Sequence, residues 1–257
     1  AWRGCPGMAV VHDLAYLQFP QHFTWGRRAL AKLQTRHVVR SADHLIAVSE
    51  ATRADLIRRL DVAPERISVS LEGCPEQFRP ADDPAAFQRV RDEHSLPERY
   101  VLYVGRLQPR KNLARLIDAF ARICERHPDL PHHLLIAGDQ GWLYDPIYAA
   151  ARSSSARERI RLLGFIPEED LPALMTGADV FALVSLWEGF GLPVVEAMAC
   201  GTAVLTSSRS SLPEVAGDAA ALVDPQDTDA ISQTLERLLT DDGYRRDLAV
   251  RGPAQAA

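Results

Sequence analysis

Cysteine is scarce and poorly placed for chemistry: Cys5, Cys74, Cys124 and Cys200 are widely scattered, and none forms a C-x-x-C pair. A disulfide or zinc framework is therefore not expected, and a reducing cytoplasm is the default compartment. Long apolar runs are also missing. No stretch approaches eighteen residues, and the first twenty lack the basic, apolar and small-residue order of a signal peptide, so any membrane contact would be peripheral, at the inner face. Nor is there an excess of positive charge. With 29 Lys and Arg against 34 Asp and Glu, the net charge is −5 and the pI near 5.9, so nothing global calls for nucleic acid. A polyanion site would have to be a local concentration of basic groups. An initiator methionine is absent as well, and Met8–Val11 reads as a strand entered in mid-domain, which sets the expectation of a truncated chain. What is present, 257 residues with 47% hydrophobic content, suffices for one large domain or for one domain and part of another.

Periodicity supplies the architecture. Short apolar runs at residues 8–11, 44–48 and 67–70 alternate with helical stretches at 22–42 and 50–60, the latter capped by Ser49. The first of these helices carries five basic residues and no acid; Arg28, Lys32, Arg36 and Arg40 recur every four positions. Such a stripe is an ordinary solvated face, a contact for anionic lipid with Phe23 and Trp25 at the interface, or a guide for an anionic acceptor. Pro80 and Pro84 bracket Asp82 and Asp83, and the helix that follows stops near Pro97, which places a linker at 81–98. Beyond it, apolar runs at 100–104, 134–137, 160–163, 178–184, 203–205 and 220–223 alternate with helices. Six strands in that rhythm predict a doubly wound parallel sheet over 99–257, and the fold class is α/β.

Two loops of this second sheet carry the chemistry. Strand 100–104 is followed by Gly105-Arg106-Leu-Gln-Pro-Arg-Lys111-Asn112, with Asn112 expected to cap the next helix. Two cations on a strand-to-helix loop suit a diphosphate, because Arg106 can grip oxygens bidentately while Lys111 adds a point charge. Strand 178–184 is followed by Ser185-Leu-Trp-Glu188-Gly189-Phe190-Gly191-Leu192-Pro193, then by a helix to Ala199 closed by Gly201. Gly189 and Gly191 free the backbone, Pro193 suits a first turn, and the amides at Gly191 and Leu192 favour an anion. Glu188 lies in the turn and Glu196 is expected in the helix's first turn. Carboxylates beside an anion site fit a ligand with phosphates at one end and sugar hydroxyls at the other.

The string Glu-Gly-Phe-Gly-Leu-Pro, with a second glutamate eight positions after the first, closely resembles the retaining nucleotide-sugar glycosyltransferases of family four, which have the GT-B fold. The resemblance covers most of residues 8–250. It implies that Arg106, Lys111, Gly105, Gly191 and Leu192 hold the donor pyrophosphate, Glu188, Gly189 and Phe190 the donor sugar, and Glu196 the ribose. Phe165 and Ile166, in the turn Gly164-Phe-Ile-Pro167, would line the base. His12, in His12-Asp13-Leu14 after the first strand, would face the sugar as a catalytic group together with Glu188. Residues 1–80 would be what remains of an N-terminal, acceptor-side Rossmann-like domain, and 99–257 the nucleotide-sugar domain. At Leu71-Glu72-Gly73 the chain departs from the family, which usually places a small polar residue before that glycine.

The reaction implied is transfer of a hexose from a nucleoside diphosphate sugar to a hydroxyl acceptor, a glycan or lipid-linked glycan, with retention. The phrase His-Asp-Leu-Ala-Tyr-Leu-Gln-Phe-Pro resembles mannosyltransferases that use GDP-mannose in polysaccharide assembly, and that resemblance implies mannose and a GDP donor. No cofactor is expected beyond this co-substrate, and no metal: Asp227 and Asp229 open a helix, and His132-His133 has no third ligand at metal spacing. A glycoside hydrolase, a nucleotide-sugar epimerase and a non-catalytic nucleotide-binding remnant stay open as alternatives. The C-terminus is expected to be short too, running out after Tyr244, so that the chain alone would bind donor and transfer little sugar.

Overall fold

The computed structural model describes residues 6–81 and 83–257; Cys5 and Asp82 lie outside the described residues. β1 (Met8–Val11), β2 (His44–Ala47) and β3 (Ile67–Val69) form a parallel sheet in that order, with Val10 beside Ile46 and Ile46 beside Ser68. Between them run α1 (Ala15–Gln18), α2 (Trp25–Ser41) and α3 (Glu50–Leu60), and α4 (Pro84–Glu93) leads to the second sheet. Ser49 caps α3 as expected, its hydroxyl accepting from the Thr52 amide at 3.1 Å.

The second sheet contains β4 (Tyr100–Val104), β5 (His133–Ala137), β6 (Ile160–Gly164), β7 (Val180–Leu183), β8 (Val204–Ser207) and β9 (Ala220–Val223). All pairings are parallel and the order is β6-β5-β4-β7-β8-β9. The chain winds outward from β4 in one direction, then restarts at β7 on the other side. The strand order therefore reverses between β4 and β7, and an open α/β sheet binds ligands at that crevice, outside the carboxyl ends of the strands. The helices are α5 (Leu113–Arg126), α6 (Asp145–Ser153), α7 (Leu171–Thr176), α8 (Leu192–Ala199), α9 (Leu212–Ala216), α10 (Thr228–Thr240) and α11 (Asp242–Ala256). Buried on both faces, the central strands read as apolar runs, and Tyr100, Tyr103, Phe120 and Phe181 anchor the larger core. A smaller core around Leu14, Leu45, Leu56 and Ile67 serves the first sheet.

Three local expectations need correction, and one segment without an expected form takes one. Asn112 occupies the position before α5, but its side chain does not cap it; with φ at 62° it turns inward and donates to the carbonyls of Val184 (3.0 Å) and Pro225 (2.6 Å). Glu196 is the fifth residue of α8, not part of its first turn. The C-terminal segment is a helix, α11, which Asp241 caps through the Tyr244 amide. Its Gly252 sits where a Cβ would meet the Met198 carbonyl at 2.9 Å, and the missing side chain is what lets α11 lie against α8. Finally, Phe23 is not an exposed anchor. Its ring packs 5.4 Å from that of Trp142, whose indole donates to the His22 carbonyl at 2.6 Å, while Arg27 lies over the same ring. Trp25 is exposed, and so are Arg28, Lys32, Arg36 and Arg40 along α2. Among the described residues no helix is long and apolar enough to cross a membrane.

Candidate functional site

The crevice between β4 and β7 is closed at its base by two loops. After β4, Gly105 adopts φ 146°, and Pro109–Lys111 form one 3-10 turn that presents Arg110 and Lys111 toward the loop after β7. The two loops are tied by their backbones, the Leu186 amide donating to the Arg110 carbonyl at 2.8 Å. Glu188, 6% exposed, lies between them. Its Oε1 accepts from Lys111 Nζ and from Ser185 Oγ, both at 2.6 Å, and its Oε2 accepts from Arg110 Nη1 at 2.7 Å. Burial alone would raise the Glu188 pKa, but Lys111 and Arg110 outweigh it and hold the carboxyl down to about 2. Burial pulls the Lys111 ammonium below its usual value, with Glu188 pulling the other way. Asp13, from the loop after β1, adds a second negative charge facing both cations.

Glycines let this loop approach others. Gly191, at φ 111°, starts α8 at a point where a Cβ would meet Leu212 at 2.6 Å. Gly189 is pressed against the first sheet: a Cβ there would lie 1.9 Å from the His12 carbonyl oxygen. Its own carbonyl accepts from Ser49 Oγ at 2.6 Å and Thr52 Oγ1 at 3.3 Å. Ser210 and Ser211, after β8, complete the frame. Ser210 Oγ accepts from the Glu188 amide, and Ser211 Oγ donates to the carbonyls of Glu188 and Phe190. Neither serine had a role in the sequence reading; the run Ser207-Ser208-Arg209-Ser210-Ser211 at a strand's carboxyl end was the available signal.

The residues named from sequence fall into four places. Gly105 and Arg106 line one pocket together with Phe165 and Ile166, alongside Val104, Gly138, Asp139 and Leu171. Lys111 lies elsewhere, buried on Glu188, with Gly189, Phe190, Gly191 and Leu192 following in the same loop. Glu196 stands on α8, where burial and the negative charge of Glu168 push its pKa up to about 7. His12 is in a different environment again: its side chain is 72% exposed and Nδ1 lies 2.8 Å from Glu72 Oε1. The residue that departs from the family's small polar one is thus the partner of the histidine.

His132, assigned to a loop pair, is 2% exposed and 3.4 Å from Asp179, and His133 begins β5. Among the described residues, carboxylate and imidazole atoms converge at metal spacing at Glu93, His94 and Asp170. Arg89 already pairs with Asp170 at 2.6 Å and Glu93 at 2.9 Å, which puts a guanidinium where a cation would go. At Asp227, side-chain capping holds: the carboxylate accepts from the Ala230 amide at 2.9 Å.

Known proteins resemble this chain along most of its length. The family described as glycosyl transferases group 1 matches residues 86–255, and glycosyltransferase family 4 matches 1–77. O-antigen chain mannosyltransferase B of Escherichia coli is 34% identical over 250 residues, which cover 97% of this chain and 65% of that protein. Among solved structures, sucrose-phosphate synthase from Thermosynechococcus elongatus superposes with a TM-score of 0.79 at 26% identity, covering 97% of this chain and 62% of that one. Anabaena HepE in complex with UDP and glucose gives 0.81 at 23% identity, covering 98% and 66%, a likeness of fold alone. The chain thus spans less than two thirds of that mannosyltransferase, and with two parallel Rossmann-like sheets of the GT-B type it belongs to the glycosyl transferases group 1 family.

Proposed function

We propose that this chain carries the donor half of a retaining transferase that moves a hexose from a nucleoside diphosphate sugar to a hydroxyl acceptor. Residues 99–257 take the donor, 1–80 face the acceptor and 81–98 link them. The observation that carries this reading is the buried Glu188 with Lys111 and Arg110 at the β4/β7 crevice, on the same loop after β4 whose Gly105 and Arg106 line a pocket with Phe165 and Ile166. A carboxyl held near 2 is ionised at neutral pH, so Glu188 accepts hydrogen bonds from sugar hydroxyls and does not act as a proton donor. The bond from the anomeric carbon to the phosphate oxygen breaks as the acceptor oxygen attacks from the same face, and the acceptor's proton passes to the departing diphosphate. Cations and helix amides stabilise that leaving group electrostatically. Mannose is the sugar favoured, by the name of the Escherichia coli relative; the complex of HepE with UDP and glucose supports a nucleotide sugar in general.

Calorimetry with GDP and UDP tests the donor site. Arg106→Ala and Lys111→Ala are each expected to weaken nucleoside diphosphate binding by about 1.5–3 kcal/mol, the worth of a hydrogen bond to a charged group, while leaving the bare nucleoside nearly unaffected. Unchanged diphosphate affinity in both variants would remove the assignment.

Glu196 adds a pH dependence. Its raised pKa means the free carboxyl is half protonated near pH 7, whereas a carboxylate accepting from two ribose hydroxyls must be ionised. Ribose binding therefore releases a proton. Guanosine or uridine affinity should rise by up to about tenfold per pH unit as pH climbs toward 7, then level off. Glu196→Gln should flatten the profile; a wild-type profile already flat between about pH 5.5 and 7.5 would exclude this linkage.

A further inference from the structure

Glu188 is held by two cations on different oxygens, and they are not equivalent. Lys111 shares Oε1 with Ser185 at the end of a flexible stem. Arg110 takes Oε2 and is fixed at several other points: Nη1 donates to the Trp187 carbonyl at 2.9 Å, Nε to Gln108 Oε1 at 3.3 Å, and its own carbonyl receives the Leu186 amide. On the donor reading above, on which this inference rests, Lys111 turns its donors from Oε1 toward the diphosphate and its hold on Glu188 weakens. Glu188 is almost wholly buried, and were Lys111 its sole partner, its departure would leave a buried carboxylate without a counter-charge, which is strongly unfavourable. That penalty would be subtracted from donor affinity.

We propose that Arg110 is a positioning residue of the donor site: by staying on Glu188 Oε2 it keeps the carboxylate paired and oriented while Lys111 changes partner to the diphosphate. Arg110 acts through Glu188 and Lys111, without touching the phosphates itself. Its anchoring suits that role. A guanidinium with two nitrogens already engaged and its backbone locked to the neighbouring loop is a poor candidate to swing toward a ligand, whereas a lysine ammonium with one ionic partner exchanges readily. Asp13, facing both cations, offsets the positive charge that the pair carries in excess of Glu188.

The test is a cycle of variants read by calorimetry with GDP, UDP and the bare nucleosides, with melting curves as the folding control. Arg110→Gln should weaken the diphosphates at least tenfold and leave nucleoside affinity within twofold, because only the Lys111 exchange becomes costly. Arg110→Lys, which restores a charge in the same place, should recover diphosphate affinity to within about threefold of wild type. In a Glu188→Gln background the effect of Arg110→Gln should shrink below twofold, since no buried charge is left to compensate. Diphosphate affinity within twofold of wild type in Arg110→Gln would overturn the proposal. So would a full loss that persists in the Glu188→Gln background, which would place Arg110 on the phosphates instead. If Arg110→Gln melts too low to measure, the lysine variant and the Glu188→Gln pair carry the decision. Failure of the donor reading looks different: the wild type then binds no diphosphate, or Lys111→Ala is indifferent, and this proposal falls with it.

Discussion

Glu188→Ala is expected to destabilise the fold by about 3–5 kcal/mol, the usual consequence of removing one partner from a buried ion pair. The loss comes from what remains behind. Lys111 is 8% exposed and sits on Oε1, and Arg110 is largely buried on Oε2, so deleting the carboxylate leaves two positive charges in a poorly solvated space. A pH series supplies an independent reading. The folded pKa of about 2 lies below the ordinary 4.5, so Glu188 contributes stability that is complete above about pH 4.5 and lost as pH falls toward 2. Glu188→Gln keeps the shape and removes the titration, so its acid limb should be shallower than that of the wild type. Nucleotide binding should move the opposite way from stability: with Lys111 released from its partner, plain GDP or UDP should bind at least as well, while the sugar-bearing donor loses its carboxylate contact. Urea denaturation at neutral and acid pH, with calorimetry on folded protein, checks each part. A Glu188→Ala variant within about 1 kcal/mol of wild type would show that the cluster is not a stabilising unit.

The course of the sheets was legible because a parallel sheet buried on both faces spells each strand as an apolar run, as in Leu134–Ala137 and Val180–Leu183. The same rhythm located the two loops at the reversal of strand order, and four of the residues named on them or on the Gly164 turn line one pocket. What could not be read were choices of partner. Nothing local in Gln-Pro-Arg-Lys-Asn distinguishes Arg110 from a solvated arginine; its assignment depends on Glu188, 78 positions away. Asn112 has the identity of a cap, yet two carbonyls 72 and 113 positions away compete successfully for its amide. The pairing of His12 with Glu72 is likewise a contact across the first sheet, visible in the sequence only as an unexplained departure from a family pattern. α11 shows how packing governs a segment of weak local preference. Gly243, Gly252 and Pro253 are poor helix residues, but Gly252 is selected by close approach to Met198, and tertiary packing overrides the local preference.

Gly189→Ala is expected to cost about 3 kcal/mol, although it adds a single methyl group. The new Cβ would fall 1.9 Å from the His12 carbonyl oxygen and 2.8 Å from its carbon, and both obstacles are backbone, which cannot rotate away. Relief requires the loop after β1 to separate from the loop after β7. That separation stretches the bonds by which Ser49 and Thr52 hold the Gly189 carbonyl, and the bond from Thr52 to the His12 carbonyl. Overpacking of this kind costs about 1–3 kcal/mol, and a buried carbonyl left without a donor about 1–3 more, only part of which is realised if water enters the opened seam. The effect should be specific to this seam. Gly26, in the first turn of α2, has nothing within 4 Å of its Cβ position, so Gly26→Ala should stabilise the chain, by up to about 1 kcal/mol, through helix propensity alone. The same substitution at two glycines thus has opposite signs, set by what each missing Cβ would meet. Contact between the sheets can be followed through Trp142, whose indole donates to His22 across the same boundary, so its fluorescence should shift toward that of a solvated indole. If Gly189→Ala melts like the wild type with unchanged Trp142 emission, the two loops are not pressed together in solution and the seam is open in the free protein.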